Sequence, residues 1–301
     1  MGSSKESILK TLLYSDIFDY PLSKEEIWKF LISKNKEDKQ SFLKYLNLKN
    51  HVFDYKNNFY FIKGRIEIVK KRQEKEKYSL KKIKFAKKII KKISLIPTVY
   101  FIGISGALAM KNSDKDDDID LFVITAKNSI WTTRLILVIV LNFLRVYRKR
   151  NEENVSNKIC LNMLVDESSL SFSKDRNDLY TAHEIAQILP IFNKNKTYEK
   201  LINSNIWITG FLPNAFSQKP VIPLISKIST INKTINCLLR IPIIEFLARS
   251  IQLRYMKKHI TKETISNNFL AFHPFDYKQQ VLNSYKKKIA KYVDSINTRG
   301  Y

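Results

Sequence analysis

The spacing of apolar residues changes along the chain, and each change predicts an element. SILKTLLYSDIF (7–18) carries apolar residues at helical spacing, and Tyr20-Pro21-Leu22 breaks it. Ser23, with Glu26 three residues on, reads as a capping box opening a helix over EEIWKFLI. KQSFLKYLNLK follows as a third helix. HVFDYKNNFYFIKGR then alternates apolar and polar residues about Lys56-Asn57-Asn58, a hairpin signature. From Ile66 to Leu95 the pattern returns to helix, with Tyr78, Ile83, Phe85, Ala86, Ile89, Ile90 and Ile93 as a partial stripe among lysines.

After Pro97 the spacing becomes that of strands. Val99–Ile104 and Ile119–Thr125 are continuous apolar runs joined through a short helix, ALAMK. An apolar helix is expected over 130–147, with a basic end (Arg145, Arg148, Lys149, Arg150) suited to its negative dipole terminus. KICLNMLVD (158–166) reads as a third strand. An amphipathic helix containing His183 and Glu184 follows, with Thr181 as its N-cap. The rest reads as helices over 198–212, 228–260 and 276–296, with Pro213, Pro220 and Pro223 in a loop and Pro242 kinking the long one. Trp207, Phe211 and Tyr255 are either helix-packing aromatics or a stacking surface for a base. The segmentation is a module over 1–65, a basic connecting helix over 66–97, a core over 98–200 and a helical region over 201–301.

Composition narrows the class. A chain of 301 residues with 44% hydrophobic and 12% aromatic content buries a sizeable core and is not disordered. Only 6 Gly and 8 Pro favour helices. Cys160 and Cys237 lie far apart in apolar runs, which predicts buried free thiols and a reducing, cytoplasmic setting. The start lacks a secretory pattern. LILVIVLNFL (135–144), the most apolar segment, is too short to span a bilayer, so no membrane role is expected. The net charge of +25 suits an anionic partner, a nucleotide or nucleic acid, but lysines spread over helix surfaces produce the same total.

The chemistry concentrates in YFIGISGALAMKNSDKDDDIDLFVIT (100–125). In a strand, residues two apart share a face, so Asp118 and Asp120 point one way and Ile119 and Leu121 the other. Adjacent carboxylates repel unless a cation sits between them, and hard oxygen ligands suit Mg²⁺ carrying substrate phosphates. The Ser105-Gly106 turn offers small side chains and backbone N–H groups to a phosphate. A hairpin with an acidic, solvated turn is the simpler alternative.

These residues resemble the polymerase-beta-like nucleotidyltransferase superfamily, whose signature is a strand, a Gly-Ser or Gly-Gly turn, a spacer, and Asp-x-Asp on the next strand. Here the small pair runs Ser105-Gly106, in reverse order, and DIDLFVI supplies the aspartates. The resemblance implies an α+β fold with a mixed sheet, and transfer of a nucleoside monophosphate from an NTP to an acceptor that is an RNA end, a protein or a small molecule. Mg²⁺ (or Mn²⁺) would sit on Asp118 and Asp120, with Ser105 and Gly106 on the β and γ phosphates. Lys111 and Lys158 are candidates to neutralise phosphate charge. A third acidic ligand is expected from the later strand. Asn162 stands at the aligned position, and Asp166, four residues on, is the candidate carboxylate unless it only caps the strand end. Glu184 is a candidate general base, or a carboxylate favoured by a helix N-terminus. The amino-terminal helices and hairpin resemble a winged helix, a fold that binds DNA, docks protein or positions substrate. The rival reading is a nucleic-acid-binding protein with a degenerate core.

Overall fold

The computed structural model describes residues 4–48, 52–150, 152–172, 176–217, 234, 237–257, 264–272 and 275–297. The chain folds as an α+β protein with a mixed sheet. The amino-terminal module contains α1 (Ser4–Ser15), a 3₁₀ turn (Asp16–Phe18), α2 (Lys24–Lys29), α3 (Lys39–Leu46) and a hairpin of β1 (Phe53–Lys56) and β2 (Phe59–Ile62). The expected capping box forms: Ser23 accepts from the Glu26 N–H, and Glu26 accepts from the Ser23 N–H. Asn57 and Asn58 both have positive φ (51° and 65°), as a two-residue hairpin turn of matching twist requires. Leu22 bridges Tyr60, so the connection after α1 joins the hairpin as a third extended segment.

The connecting helix α4 (Glu67–Ile93) leads to β3 (Val99–Ile104), α5 (Gly106–Ala109), β4 (Ile119–Thr125), α6 (Ile130–Phe143) and β5 (Ile159–Asp166). Then come α7 (Leu179–Gln187), β6 (Leu189–Asn193), α8 (Thr197–Ser204), a 3₁₀ turn (Ile206–Gly210), α9 (Pro242–Lys257), β7 (Thr264–Ile265), β8 (Phe269–Ala271) and α10 (Phe275–Asn297). The six-stranded sheet runs β6-β3-β4-β5-β8-β7, with β4 and β5 parallel and the other neighbours antiparallel.

The alternation of β4 divides the interior. Ile119, Leu121 and Val123 join α4, α6 and α9 in one core, while Phe122 and Ile124 join α1, α7, α8 and α10 in another. The second core takes in Ile8, Leu12, Leu13, Phe30 and Phe42 of the amino-terminal module. That module therefore shares its interior with the sheet.

Several expectations need correction. The region after residue 200 returns β7 and β8 to the sheet, with β8 on β5. The helix expected around residues 181–192 stops at Gln187, and Leu189–Asn193 forms the edge strand β6 on β3. Pro190 is tolerated there because an edge strand needs fewer N–H donors. Pro242 starts α9, where a missing N–H costs nothing. Cys237 is exposed, although both cysteines are free thiols. Pro220, Pro223 and most of the helix expected before residue 237 lie outside the described residues. No helix among the described residues is long and apolar enough to cross a membrane.

Candidate functional site

Six buried residues of β3 run into Ser105, which is extended, and Gly106, at φ +63°. A Cβ on Gly106 would lie 3.0 Å from Asp120 Oδ2, so both the left-handed turn and the close approach require glycine. The Ser105 N–H donates to the Asp120 carbonyl at 3.0 Å, fixing the turn against the acidic strand. The spacer from Met110 to Asp118 is held by α4. Arg72, buried, donates to the Met110 carbonyl (3.1 Å) and Glu26 Oε1 (2.9 Å) and lies 3.7 Å over the Tyr20 ring. Ser79 Oγ accepts from the Ser113 N–H, Lys82 donates to the Asp117 carbonyl, and Lys75 pairs with Asp114. The acidic run is thus tied to α4, while Asp114 and Asp116 stay exposed in the connection between the antiparallel strands β3 and β4.

Ile119 is fully buried on the far side of the sheet, so Asp118 and Asp120 share the side facing α7 and the amino-terminal module. Asp120 pairs with Cys160 across the parallel ladder. A ligand atom from each of Asp118, Asp120 and Cys160 lies within 4.8 Å of the others. Arg148 Nη1 is 2.7 Å from Asp118 Oδ2 and 3.8 Å from Cys160 Sγ. Its N–H donates to the Ile159 carbonyl, which sets the segment after α6 beside β5. Burial, then the charge of Asp118, pushes the Asp120 carboxyl up to about 7. Burial and the two aspartates also raise the Cys160 thiol, keeping it protonated.

The other expected residues divide. Glu184 lies in the second turn of α7, whose N-cap is Asp178, accepting from the Thr181 N–H; Thr181 is not the cap. The dipole explanation for Glu184 falls with that correction, because the effect is confined to the first turn. Glu184 instead lines two cavities with Tyr180. Burial, then the Glu184 charge, raises the phenols of Tyr14, Tyr180 and Tyr277. One cavity, about 410 Å³, includes Gly106 and Asp120; the other, about 270 Å³, includes Ser105 and Asn162. Asn162 Nδ2 donates to Ser105 Oγ at 3.3 Å. Buried His183 stacks on Tyr14 at 4.1 Å, and burial lowers it to about 3, so the ring is neutral. Trp207, Phe211 and Tyr255 line neither cavity.

Asp166 is not brought to the pair. The register slips between Asp120 and Phe122, where an extra residue of β5 shifts its alternation, and Asp166 ends up opposite Thr125. Five residues of strand separate Asp120 from Thr125, about 16 Å. Asp166 accepts from Asn128 N–H (2.7 Å) and from Ser168 N–H and Oγ (2.8 and 2.6 Å), so it caps a turn. Neither lysine reaches the pair: Lys111 Nζ is 3.0 Å from Glu76, and Lys158 Nζ is 3.0 Å from Glu152. The cations at the site are Arg148, on Asp118, and Arg176 and Lys278, lining the smaller cavity. Cys160 was detectable as the residue two before Asn162. Arg176 and Lys278 had no local signal, since they converge from 102 positions apart.

Asp118, Asp120 and Cys160 could together hold a metal ion. Asp118 Oδ2 is buried, and although Arg148 is close, the contact is an ion pair without an aligned hydrogen bond. Comparison with protein-family models, curated proteins and solved structures returns no match.

Proposed function

We propose that the protein is a divalent-cation-dependent nucleotidyltransferase. The observation that carries the reading is Gly106, in a left-handed turn against Asp120 with Asp118 on the same face, at a cavity that also holds Glu184. Asp118 and Asp120 would hold Mg²⁺, and the raised Cys160 thiol is too soft and too protonated to compete with oxygen ligands for it. Bound there, the ion supplies charge neutralisation for a triphosphate and its pyrophosphate leaving group. The turn offers the Gly106 N–H and the Ser105 hydroxyl to phosphate oxygens, the Ser105 N–H being taken by the Asp120 carbonyl. Arg176 adds positive charge on that side, in place of Lys111 and Lys158, while Lys278 is paired with Asp178. Glu184 accepts the proton of the attacking hydroxyl. Tyr14, Tyr180 and Tyr277 surround it and limit water. Three helices, a hairpin and the Leu22–Tyr60 bridge support a winged-helix-like reading of the amino-terminal module, which would serve here as a wall of the cleft.

Labelled NTPs with Mg²⁺ and cell extracts test the proposal. Asp118→Asn is expected to lower incorporation by roughly 10² or more, with the far-UV spectrum unchanged. Wild-type incorporation by that variant refutes the metal site. Arg148 favours a second reading: it neutralises Asp118 without an ion, as in a core that has lost catalysis and serves binding. On that reading no NTP is consumed, and Mg²⁺ leaves thermal stability unchanged.

A further inference from the structure

The two cavities flanking Tyr180 and Glu184 differ in charge. The chain carries 53 Lys and Arg, yet none appears among the described residues lining the larger cavity. Among the described lining residues the charged side chains are Asp120 and Glu184; the rest of the wall includes the rings of Tyr14, Phe18, Tyr20, Phe30, Tyr180 and Tyr277. The smaller cavity is lined by Arg176 and Lys278 with Ser105, Asn162 and Thr181. The larger cavity also holds buried His183, whose Nε2 has no partner, while its Nδ1 lies 3.4 Å from Gln187 Nε2. If Gln187 donates to Nδ1, the neutral ring carries its proton on Nε2 and offers a donor.

We infer that the larger cavity takes the acceptor, and that the acceptor is a small neutral or cationic alcohol or phenol bearing an apolar ring. This rests on the nucleotidyltransferase reading and settles which class of acceptor it uses. A phosphodiester chain would bring negative charge against Glu184, with no Lys or Arg among the described lining residues to receive it. A protonated amine is attracted by the same carboxylates and by the ring faces. The volume of about 410 Å³ is that of a small-molecule site. In the transfer, the acceptor oxygen bonds to the α-phosphorus, the bond from that phosphorus to the β-bridging oxygen breaks, pyrophosphate leaves with the electron pair, and the hydroxyl proton passes to Glu184.

The test compares two probes that share a phenol and differ in charge, tyramine and 4-hydroxyphenylacetate, by saturation-transfer NMR and equilibrium dialysis on the full chain. Tyramine is expected to bind at least about tenfold more tightly. Ala107→Trp, at an exposed position of α5, fills the cavity and is expected to weaken tyramine at least about tenfold. Gln187→Trp fills it from α7 and serves if the first variant does not fold. Equal or tighter binding of 4-hydroxyphenylacetate, binding of neither probe, or tyramine binding unaffected by both fillings overturns the inference. Mg²⁺-dependent NTP binding is measured separately. Its absence beside charge-selective tyramine binding means that the nucleotidyltransferase reading has failed and the cation-selective cavity stands.

Discussion

Asp120 shows how one residue carries opposed demands. Its carboxyl is pushed up from 3.8 to about 7 by burial first and by Asp118 second. Between those values the folded chain holds a proton that the unfolded chain has lost. Stability therefore falls as pH rises through the window, and the full cost remains above it. Asp120→Asn is expected to stabilise the metal-free protein by on the order of 1–3 kcal/mol near pH 8 and by little near pH 4. Thermal melts across pH decide this; an equal gain at both ends means that the raised carboxyl is not the cause. A divalent cation competes with the same proton, so stabilisation by Mg²⁺ should grow from about pH 6 to about pH 8. Arg72 is a structural counterpart: its buried guanidinium ties Glu26, Tyr20 and the Met110 carbonyl together, joining three segments distant in sequence.

Among the elements, α6 has its first turn completed from elsewhere. Glu245 of α9 accepts from the Trp131 N–H (2.8 Å), the Thr132 N–H (2.9 Å) and Thr132 Oγ1 (2.7 Å). Free N–H groups at a helix start need such acceptors, and a carboxylate also suits the dipole. Glu245→Ala is expected to cost about 2 kcal/mol, read as a lower urea midpoint at unchanged slope, with Glu245→Gln losing less. A loss equal for both variants assigns the effect to packing between α6 and α9 instead. Apolar runs predicted β3, β4 and β5 closely, because strands covered on both faces need no polar alternation. They did not predict β6, since Ile185, Ile188, Leu189 and Ile191 also satisfy helical spacing. Nor did they predict β7 and β8, which are only 2 and 3 residues long and are held by β5.

At the scale of the molecule, one core extends from α1 through the sheet to α10. Removing residues 1–65 would bare His183 of α7 and Tyr285 of α10, on which Tyr14 and Phe30 pack. A chain of residues 66–301 is expected to bind a hydrophobic dye and to lose near-UV dichroism while keeping helix content. A cooperative, dye-silent melt of that fragment would show that the shared core is dispensable. The same packing makes the module a wall of the cleft, through Tyr14, Phe18, Tyr20 and Phe30.

By itself the sequence determined what local rules govern: the capping box at Ser23, the Asn57-Asn58 turn, the buried central strands, and Asp118 and Asp120 on one strand face behind a small-residue turn. Each depends on neighbours within a few residues, where spacing and backbone preference act directly. Only the tertiary structure decided that Arg148 meets Asp118, that Cys160 joins the pair, that a one-residue slip in β5 carries Asp166 away, and that Glu184 faces Asp120 across an aromatic cavity. Those outcomes depend on register and on which helix covers which face. A single residue of register moves every side chain beyond it to the opposite side of the sheet.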